Sequence, residues 1–256
     1  MGIYNVFFYS LLFVFGSIIG SFLNVVIIRV RNKESFLAGR SYCPVCKNKL
    51  SISDLFPIAS FLFLKGSCRY CKNKISLQYP MVEFFTGFLF LLSGIYWMAQ
   101  GQGVLYLISY LVFAAFTVLI FVYDFKWQII PDRFSLPAIA IILILNFFAG
   151  VSVYSMAIGA AIAGGFFLLQ FLISKGRWIG GGDIRLGALI GVALGFQKTI
   201  LALLISYVLG AVISLILIYL QKKKMDSEIA FGTFLICGSF AALFFGNFLI
   251  SYFFNI

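Results

Sequence analysis

Apolar runs separated by short polar connections make up most of the chain. Eight runs can be distinguished, at residues 3–28, 80–99, 104–123, 134–149, 153–173, 184–196, 200–220 and 230–253. An α-helix needs roughly 20 apolar residues to cross the hydrocarbon core of a bilayer. The stretch from Leu186 to Leu220 could be one long helix, but Gly195–Lys198 are predicted to form a turn that divides it. The pattern predicts an all-α membrane protein, a polytopic bundle of about eight transmembrane helices.

The composition agrees with a lipid environment. Hydrophobic residues make up 62% of the chain and charged residues 11%, whereas soluble domains carry roughly 25% charged residues. The first apolar run is too long for the core of a secretory signal and lacks a preceding basic segment, so it is predicted to be a retained helix. Further along, Gly187, Gly191 and Gly195 recur at every fourth position, a spacing typical of closely packed membrane helices.

Basic residues are unevenly distributed between the connections. With eight membrane crossings, eighteen of the nineteen Lys and Arg residues fall on one side, including the cluster Lys222–Lys224, and Lys198 alone falls on the other. Because positive connections mark the cytoplasmic side, this side is predicted to face the cytoplasm, with both termini outside. The net charge of +11 is therefore attributed to orientation and to anionic membrane lipids rather than to nucleic acid.

The largest polar segment, residues 31–78, carries two Cys-x-x-Cys pairs. Cys43 and Cys46 form the first pair and Cys68 and Cys71 the second, with 21 residues between the pairs and a Lys-Asn-Lys after each. Four thiolates at this spacing predict a tetrahedral zinc site, with a structural role because no ligand position is left for water. Two disulfides or free core cysteines are the alternatives, and a reducing cytoplasm disfavours disulfides. Cys237, inside the last run, is predicted to behave as a small apolar residue.

The chain contains no histidine, which excludes Ser-His and Cys-His catalytic pairs and histidine-ligated zinc proteases. Two of its eight acidic residues stand out, because Asp124 directly follows the third apolar run and Asp183 follows Gly180–Gly182 at the start of the sixth. An acid at the end of a membrane helix is costly unless it is paired, solvated or functional. Two carboxylates a few ångström apart do not both ionise easily, so such a pair could share one proton and activate water for hydrolysis.

Each aspartate also has a structural alternative. Asp183 could cap the N-terminus of its helix, and Asp124 could be an interfacial anchor. The triple glycine favours a functional Asp183, because it lets a ligand approach the backbone and costs ordering entropy that a cap does not require. Four further acids are interpreted as solvated loop charges: Glu34, Asp54, Asp226 and Glu228.

Four motifs together resemble one family. Gly180–Leu186 is similar to the GxGD signature of intramembrane aspartyl proteases, in the form found in type IV prepilin peptidases, and Asp124–Asp132 is similar to the first catalytic motif of those enzymes. Gly20–Val26 resembles their N-terminal motif, and Tyr79–Glu83 resembles the motif that opens their second helix. The paired cysteines occur in the bifunctional members. The resemblance covers the whole chain in the family's order.

The resemblance implies an enzyme of the bacterial inner membrane that cleaves prepilin-like precursors on the cytoplasmic side, after a glycine that ends a short basic leader. Many such enzymes then methylate the new amino terminus with S-adenosylmethionine. The motif match makes Asp124 and Asp183 the catalytic pair, and Asp132 is not a catalyst. It also divides the chain into a first transmembrane helix at 1–30, a zinc-binding loop at 31–78 and a catalytic core at 79–256. The residues that bind the methyl donor are not identified.

The chain departs from the family pattern at three places. Arg185 replaces the usual Lys, Val30–Asn32 replaces the usual Leu-Pro, and Ala230–Thr233 lacks both prolines of the usual Pro-Phe-Gly-Pro. Glu83 could form an ion pair with a loop cation, or it could hold a substrate amine or the methyl donor.

Two other classes of function remain as alternatives. A transporter or channel would place acids near the middle of the membrane and show inverted repeats, and the chain shows neither. A non-enzymatic assembly factor could use the zinc loop for docking, and it would not need Asp124 or Asp183.

Overall fold

The computed structural model describes residues 3–36, 39–221 and 230–254. Within these ranges the chain is helical and contains no strand. The helices are α1 (Ile3–Arg31), α2 (Ala59–Phe63), α3 (Gln78–Gln100), α4 (Val104–Trp127), α5 (Asp132–Ala149), α6 (Val153–Ser174), α7 (Gly181–Tyr219) and α8 (Phe231–Phe254), with a short 3₁₀-helix at Ile52–Leu55. The predicted all-α membrane fold is confirmed. The predicted basic cluster Lys222–Lys224, with Asp226 and Glu228, lies outside the described residues.

Seven of the described helices are long and apolar enough to span a membrane, and the longest of them contains a turn. A continuous helix of the 39 residues in α7 would be about 58 Å long, almost twice the thickness of the hydrocarbon core. The helix is broken at Gly195, whose φ of 72° and ψ of −179° are not helical. The Phe196 N–H donates a hydrogen bond to the Ser155 hydroxyl next to this break. The turn predicted at Gly195–Lys198 is confirmed.

Contacts with α6 show that the chain reverses direction at this break. Gly195 lies beside Ser155, near the start of α6. Before the break, Gly187 lies beside Ala163. After it, the Tyr207 side chain is hydrogen-bonded to Gln170, near the end of α6. The arm of α7 at residues 181–194 is therefore antiparallel to α6 and the arm at 196–219 is parallel to it, so the seven membrane-length helices of the described residues comprise eight helical arms.

The structure forms two compact units, Met1–Gly101 and Gln102–Ile256. In the first unit α1 packs along α3, and a Cβ on Gly20 would lie 2.8 Å from the Glu83 Cα, so the two backbones nearly touch. The buried Asn24 side chain joins the same helices, because its amide donates to the Tyr79 carbonyl oxygen and its oxygen accepts from Gln78.

In the second unit α4 packs on α5 and α8, and α7 packs on α5, α6 and α8. The predicted close packing of the α7 glycines is confirmed, since a Cβ on Gly191 would overlap the backbone of Gly159 and Ala160. A buried Asn146 accepts a hydrogen bond from Ser109 and donates one to the Val192 carbonyl oxygen. This amide links three helices and leaves its polar atoms satisfied where no water is available.

Candidate active site

Asp124 lies in the last turn of α4 and is buried. Its Oδ2 accepts a hydrogen bond of 2.9 Å from the Thr233 backbone N–H, in the first turn of α8. The preceding Gly232 allows this approach, because a Cβ there would lie 2.7 Å from the same Oδ2. The turn at Ala230–Thr233, which lacks the family's prolines, therefore holds the Asp124 carboxylate through its backbone.

Asp183 lies in the first turn of α7, where its Oδ2 accepts a hydrogen bond of 3.2 Å from the Gly180 N–H. Gly180, rather than Asp183, occupies the N-cap position. The other two glycines differ in their surroundings, since a Cβ on Gly182 would lie 2.7 Å from the Ile130 Cβ, whereas one on Gly181 would meet no atom within 4 Å. Gly182 is thus required for packing, and the backbone at Gly181 is open to a ligand.

The two aspartates meet at one end of the second unit. The Asp183 carboxyl group lies within electrostatic range of the Asp124 charge. The side chain of Ile130, in the α4–α5 connection, lies close to Gly182, which precedes Asp183, and to Gly232, which contacts Asp124. The structure therefore brings together the two residues selected from the sequence, although they are 59 positions apart.

Two nearby side chains were not predicted from the sequence. The Tyr207 ring packs on Phe231 with 4.9 Å between the ring centroids, and Tyr207 also interacts electrostatically with Asp183. Arg185 forms an ion pair of 2.6 Å with Asp132, which joins the start of α7 to the start of α5. Both Arg185 and Asp132 are partly exposed, and such pairs contribute only about 0–1 kcal/mol.

The four loop cysteines come together in the first unit, and their sulfur atoms all lie within 4.8 Å of one another. A tetrahedral metal with bonds of about 2.3 Å places its sulfur ligands roughly 3.8 Å apart, and the Cys43 and Cys71 sulfurs are 3.9 Å apart. Burial alone would raise the pKa of the Cys43 thiol, but hydrogen bonds from the Cys46 and Val45 backbone N–H groups lower it to about 7. The separations of the four sulfur atoms therefore suit a tetrahedral metal ion.

The two cysteine pairs have the same local structure, as the repeated Lys-Asn-Lys sequences suggested. The Cys43 N–H donates to the Asn48 carbonyl oxygen, and the Cys68 N–H donates to that of Asn73. The residues that follow the two pairs, Lys47 and Lys72, both have a φ near 60°. In contrast, Cys237 lies on α8, in the second unit, and is exposed.

Glu83 is held by hydrogen bonds within the first unit. Its Oε2 accepts a hydrogen bond of 2.7 Å from the Ile58 backbone N–H, and the Ser21 hydroxyl donates another to the same carboxylate. The two ion pairs among the described residues are Asp54–Arg69 and Asp132–Arg185, so the predicted ion pair of Glu83 with a loop cation is wrong for the described part of the chain. Glu83 fastens the cysteine-bearing loop to α1 and α3.

Comparison with known proteins places this arrangement in a family. Residues 14–97 match the bacterial peptidase A24 N-terminal domain, and residues 111–215 match the type IV leader peptidase family. A protein of Bacillus subtilis (strain 168) called prepilin leader peptidase/N-methyltransferase is 33% identical over 95% of this chain and 97% of its own length. The chain belongs to the type IV leader peptidase family.

A protein with the same name from Aeromonas salmonicida is 30% identical over 94% of this chain and 91% of its own length. Another, from Dickeya chrysanthemi, is 31% identical over 88% of this chain and 88% of its own length. No solved structure matches this leader peptidase. Both aspartates of the leader peptidase lie in the second matched region, and all four clustered cysteines lie in the first. Gly232 and Thr233, which contact Asp124, lie beyond either region.

Proposed function

We propose that this leader peptidase is a membrane aspartyl endopeptidase that removes the leader of prepilin-like precursors and then methylates the new amino terminus. The observation that carries the proposal is that Asp124 and Asp183, which come from different helices, lie near each other at one end of the second unit. The names of the relatives supply the substrate class and the second activity. The catalytic core is assigned to residues 79–256.

The proposed cleavage uses one ionised and one protonated carboxyl group. The ionised aspartate accepts a proton from water as the water oxygen attacks the scissile carbonyl carbon, and the protonated aspartate donates its proton to the carbonyl oxygen. A neutral gem-diol forms. A proton then passes to the leaving nitrogen, the carbon–nitrogen bond breaks, and the dyad again holds one proton. Hydrogen bonds from Thr233 and Gly180 orient the two carboxyl groups for these transfers.

We assign zinc to the cysteine cluster and a structural role to the metal. Four thiolates match the preference of zinc for sulfur ligands, and they leave no coordination position for water or substrate. S-adenosylmethionine would supply the methyl group when bound. Methyl transfer is proposed to use a site separate from the aspartates.

The active end of the protein is proposed to face the cytoplasm of the bacterial inner membrane. The connections at 124–131 and 180–183 lie with 230–233 at one end of the second unit, and their flanking residues Lys126, Arg133, Lys175 and Arg177 are basic. Positive connections remain on the cytoplasmic side during insertion. This orientation gives the enzyme access to the basic leader of a precursor and to cytoplasmic S-adenosylmethionine. The partners proposed are precursor proteins and membrane lipids, with no nucleic acid.

Substitution of the aspartates tests the mechanism. Asp124→Asn and Asp183→Asn preserve shape but remove proton transfer, so each should lower the rate of leader cleavage by at least about 10²–10⁴. Because the pair acts as a unit, the double variant should be about as impaired as either single variant. Asp132→Asn is the matched control, since its carboxylate lies in the same motif but is exposed and paired only with Arg185.

The assay incubates membranes containing each variant with a full-length precursor and S-adenosylmethionine and measures both products by mass. Methylation of a precleaved substrate should persist in all four variants, which also shows that they are folded. Cleavage by the Asp183→Asn variant near the wild-type rate would refute the aspartyl mechanism.

A further inference from the structure

The segment between the two cysteine pairs exposes a group of large apolar side chains. Residues 50–64 contain a single charged residue, Asp54. Its side chain is buried in the loop, where it accepts hydrogen bonds from Ser51 and is ion-paired with Arg69 at 2.6 Å. The segment therefore presents no free charge along the 3₁₀-helix Ile52–Leu55 and helix α2.

The most exposed large apolar side chains of this segment are Ile52 (79% exposed), Phe56 (61%), Leu62 (67%) and Phe63 (86%). Single exposed apolar residues are normal on a water-facing surface, whereas groups of them mark surfaces that bind another apolar phase or another molecule. A zinc loop surrounded by water would lose roughly 25 cal/mol for every square ångström of apolar area left uncovered. These four residues are called the apolar loop face below.

The segment that carries the apolar loop face is attached beside membrane-spanning helices rather than beyond their ends. Ile58, between its two halves, donates its backbone N–H to Glu83 in the second turn of α3, and Ser21 of α1 donates to the same carboxylate. Ile58 is thus level with Ser21. The apolar run of α1 continues to Ile28, about 10 Å further along the helix axis. The loop segment therefore returns to the depth of the apolar part of α1.

The backbone at the attachment point supports a fixed position. Ile58 has a φ of 60°, which is unfavourable for a β-branched residue. Such conformations persist where surrounding contacts hold them, and the hydrogen bond to the buried Glu83 is one such contact. The depth of the segment is consequently set by the protein.

We propose that residues 52–63 form an interfacial anchor that inserts the apolar loop face into the membrane leaflet nearest the zinc loop. A segment rich in exposed phenylalanine, leucine and isoleucine, with lysines on either side, has the composition of segments that lie in the membrane interface. Lys65 follows the segment directly, and Lys47, Lys49, Lys72 and Lys74 lie in the cysteine turns on either side of it. Each lysine near an anionic surface contributes about 1 kcal/mol of attraction.

Lipid is the favoured occupant because of the depth of the attachment. A soluble partner could reach the apolar loop face only if it entered the space beside α1 and α3 that acyl chains fill. Insertion would hold the cysteine cluster at a constant height above the bilayer. The proposal concerns the first unit alone and does not depend on the catalytic role of the aspartates.

Fluorescence quenching of the full-length protein in vesicles tests this inference. The three native tryptophans are replaced by phenylalanine, and Phe63→Trp or Ile52→Trp introduces a single reporter. The matched control is Val45→Trp, which probes an exposed apolar residue in a cysteine turn. The vesicles contain phosphatidylcholine and phosphatidylglycerol with brominated acyl chains, and iodide is the aqueous quencher.

Brominated lipid should quench both loop-face reporters at least about fivefold more than the Val45→Trp reporter. Both loop-face reporters should also be protected from iodide, because side chains at the boundary between headgroups and acyl chains are shielded from water. Equal iodide quenching of the loop-face and control reporters would show that the face is in water and overturn the proposal. Protection from both quenchers would overturn it as well, because protein rather than lipid would then cover the face.

Discussion

The contact between Gly232 and the Asp124 carboxylate leads to a prediction for Gly232→Ala. A Cβ at position 232 would lie 2.7 Å from the Asp124 Oδ2 and 3.1 Å from the Ile130 Cδ1. A carbon and an oxygen atom that are not bonded prefer to be at least roughly 3.2 Å apart. The new methyl group must therefore displace the carboxylate or α8 by about 0.5 Å, and the hydrogen bond from Thr233 changes with it.

The expected loss follows from the size of this displacement. A shift of about 1 Å in a catalytic group can reduce a rate by ~10², so a shift of half that size should reduce kcat for cleavage by about 10-fold to 100-fold. This range corresponds to roughly 1.4–2.7 kcal/mol in activation free energy. Folding should be much less affected, because alanine is favoured over glycine in a helix by about 1 kcal/mol, which offsets part of the local crowding.

Gly210→Ala is the matched control for Gly232→Ala. Its Cβ would meet the Phe234 ring at 3.4 Å and the Phe231 ring at 3.7 Å, which are ordinary contacts. Cleavage of a full-length precursor by each variant is measured under single-turnover conditions, with methylation of a precleaved substrate as the comparison. If Gly232→Ala cleaves as fast as Gly210→Ala and the wild type, the turn at the start of α8 does not position a catalytic Asp124, and the reasoning is refuted.

Three further predictions concern the loop and the orientation. Purified protein should contain about one zinc per chain. The double substitution Cys43→Ser and Cys46→Ser should remove the metal and destabilise the loop, while cleavage persists. If metal analysis finds no zinc in the wild-type protein, the zinc site is wrong. Asp54→Asn should lower the free energy of unfolding of the loop by about 1–2 kcal/mol at pH 7. Hydrogen bonds from Ser51 lower the pKa of Asp54 despite its burial, so the stability difference between variant and wild type should shrink below about pH 4, where the wild-type carboxyl becomes protonated. A stability difference that does not change with pH would contradict this prediction. Cysteines introduced at Ser35 and Ser227 should react with an impermeant thiol reagent from the same side of the membrane, and labelling from opposite sides would rule out eight passages.

The sequence predicted the membrane passages well because each depends on a local property. A long apolar run is sufficient to predict a spanning helix, and a glycine beside polar residues is sufficient to predict the turn near Gly195. The two aspartates could be selected for a similar reason, since a charge at the end of an apolar run is costly wherever it occurs.

The packing around the aspartates could not be predicted in this way. In water an amphipathic pattern reveals which face of a helix is buried, but in a bilayer the lipid-facing and protein-facing sides are both apolar. The contact of Asp124 with Thr233 joins residues 109 positions apart, and no pattern of apolar and polar residues in α4 or α8 predicts this contact. The hydrogen bond from Ile58 to Glu83 was missed because it involves a backbone group, which any residue type could supply.

The break at Gly195 also has a consequence for how water reaches the dyad. The arm of α7 at residues 181–194 is about 21 Å long, whereas the hydrocarbon layer is about 30 Å thick. Asp183 begins this arm, so if the turn at Gly195 reaches the far interface, the aspartate lies below the level of the surrounding headgroups. A shallow hydrated depression, or a locally thinned bilayer, must then form over the short arm. Hydrolysis inside a membrane would in this way depend on one helix being too short to cross it.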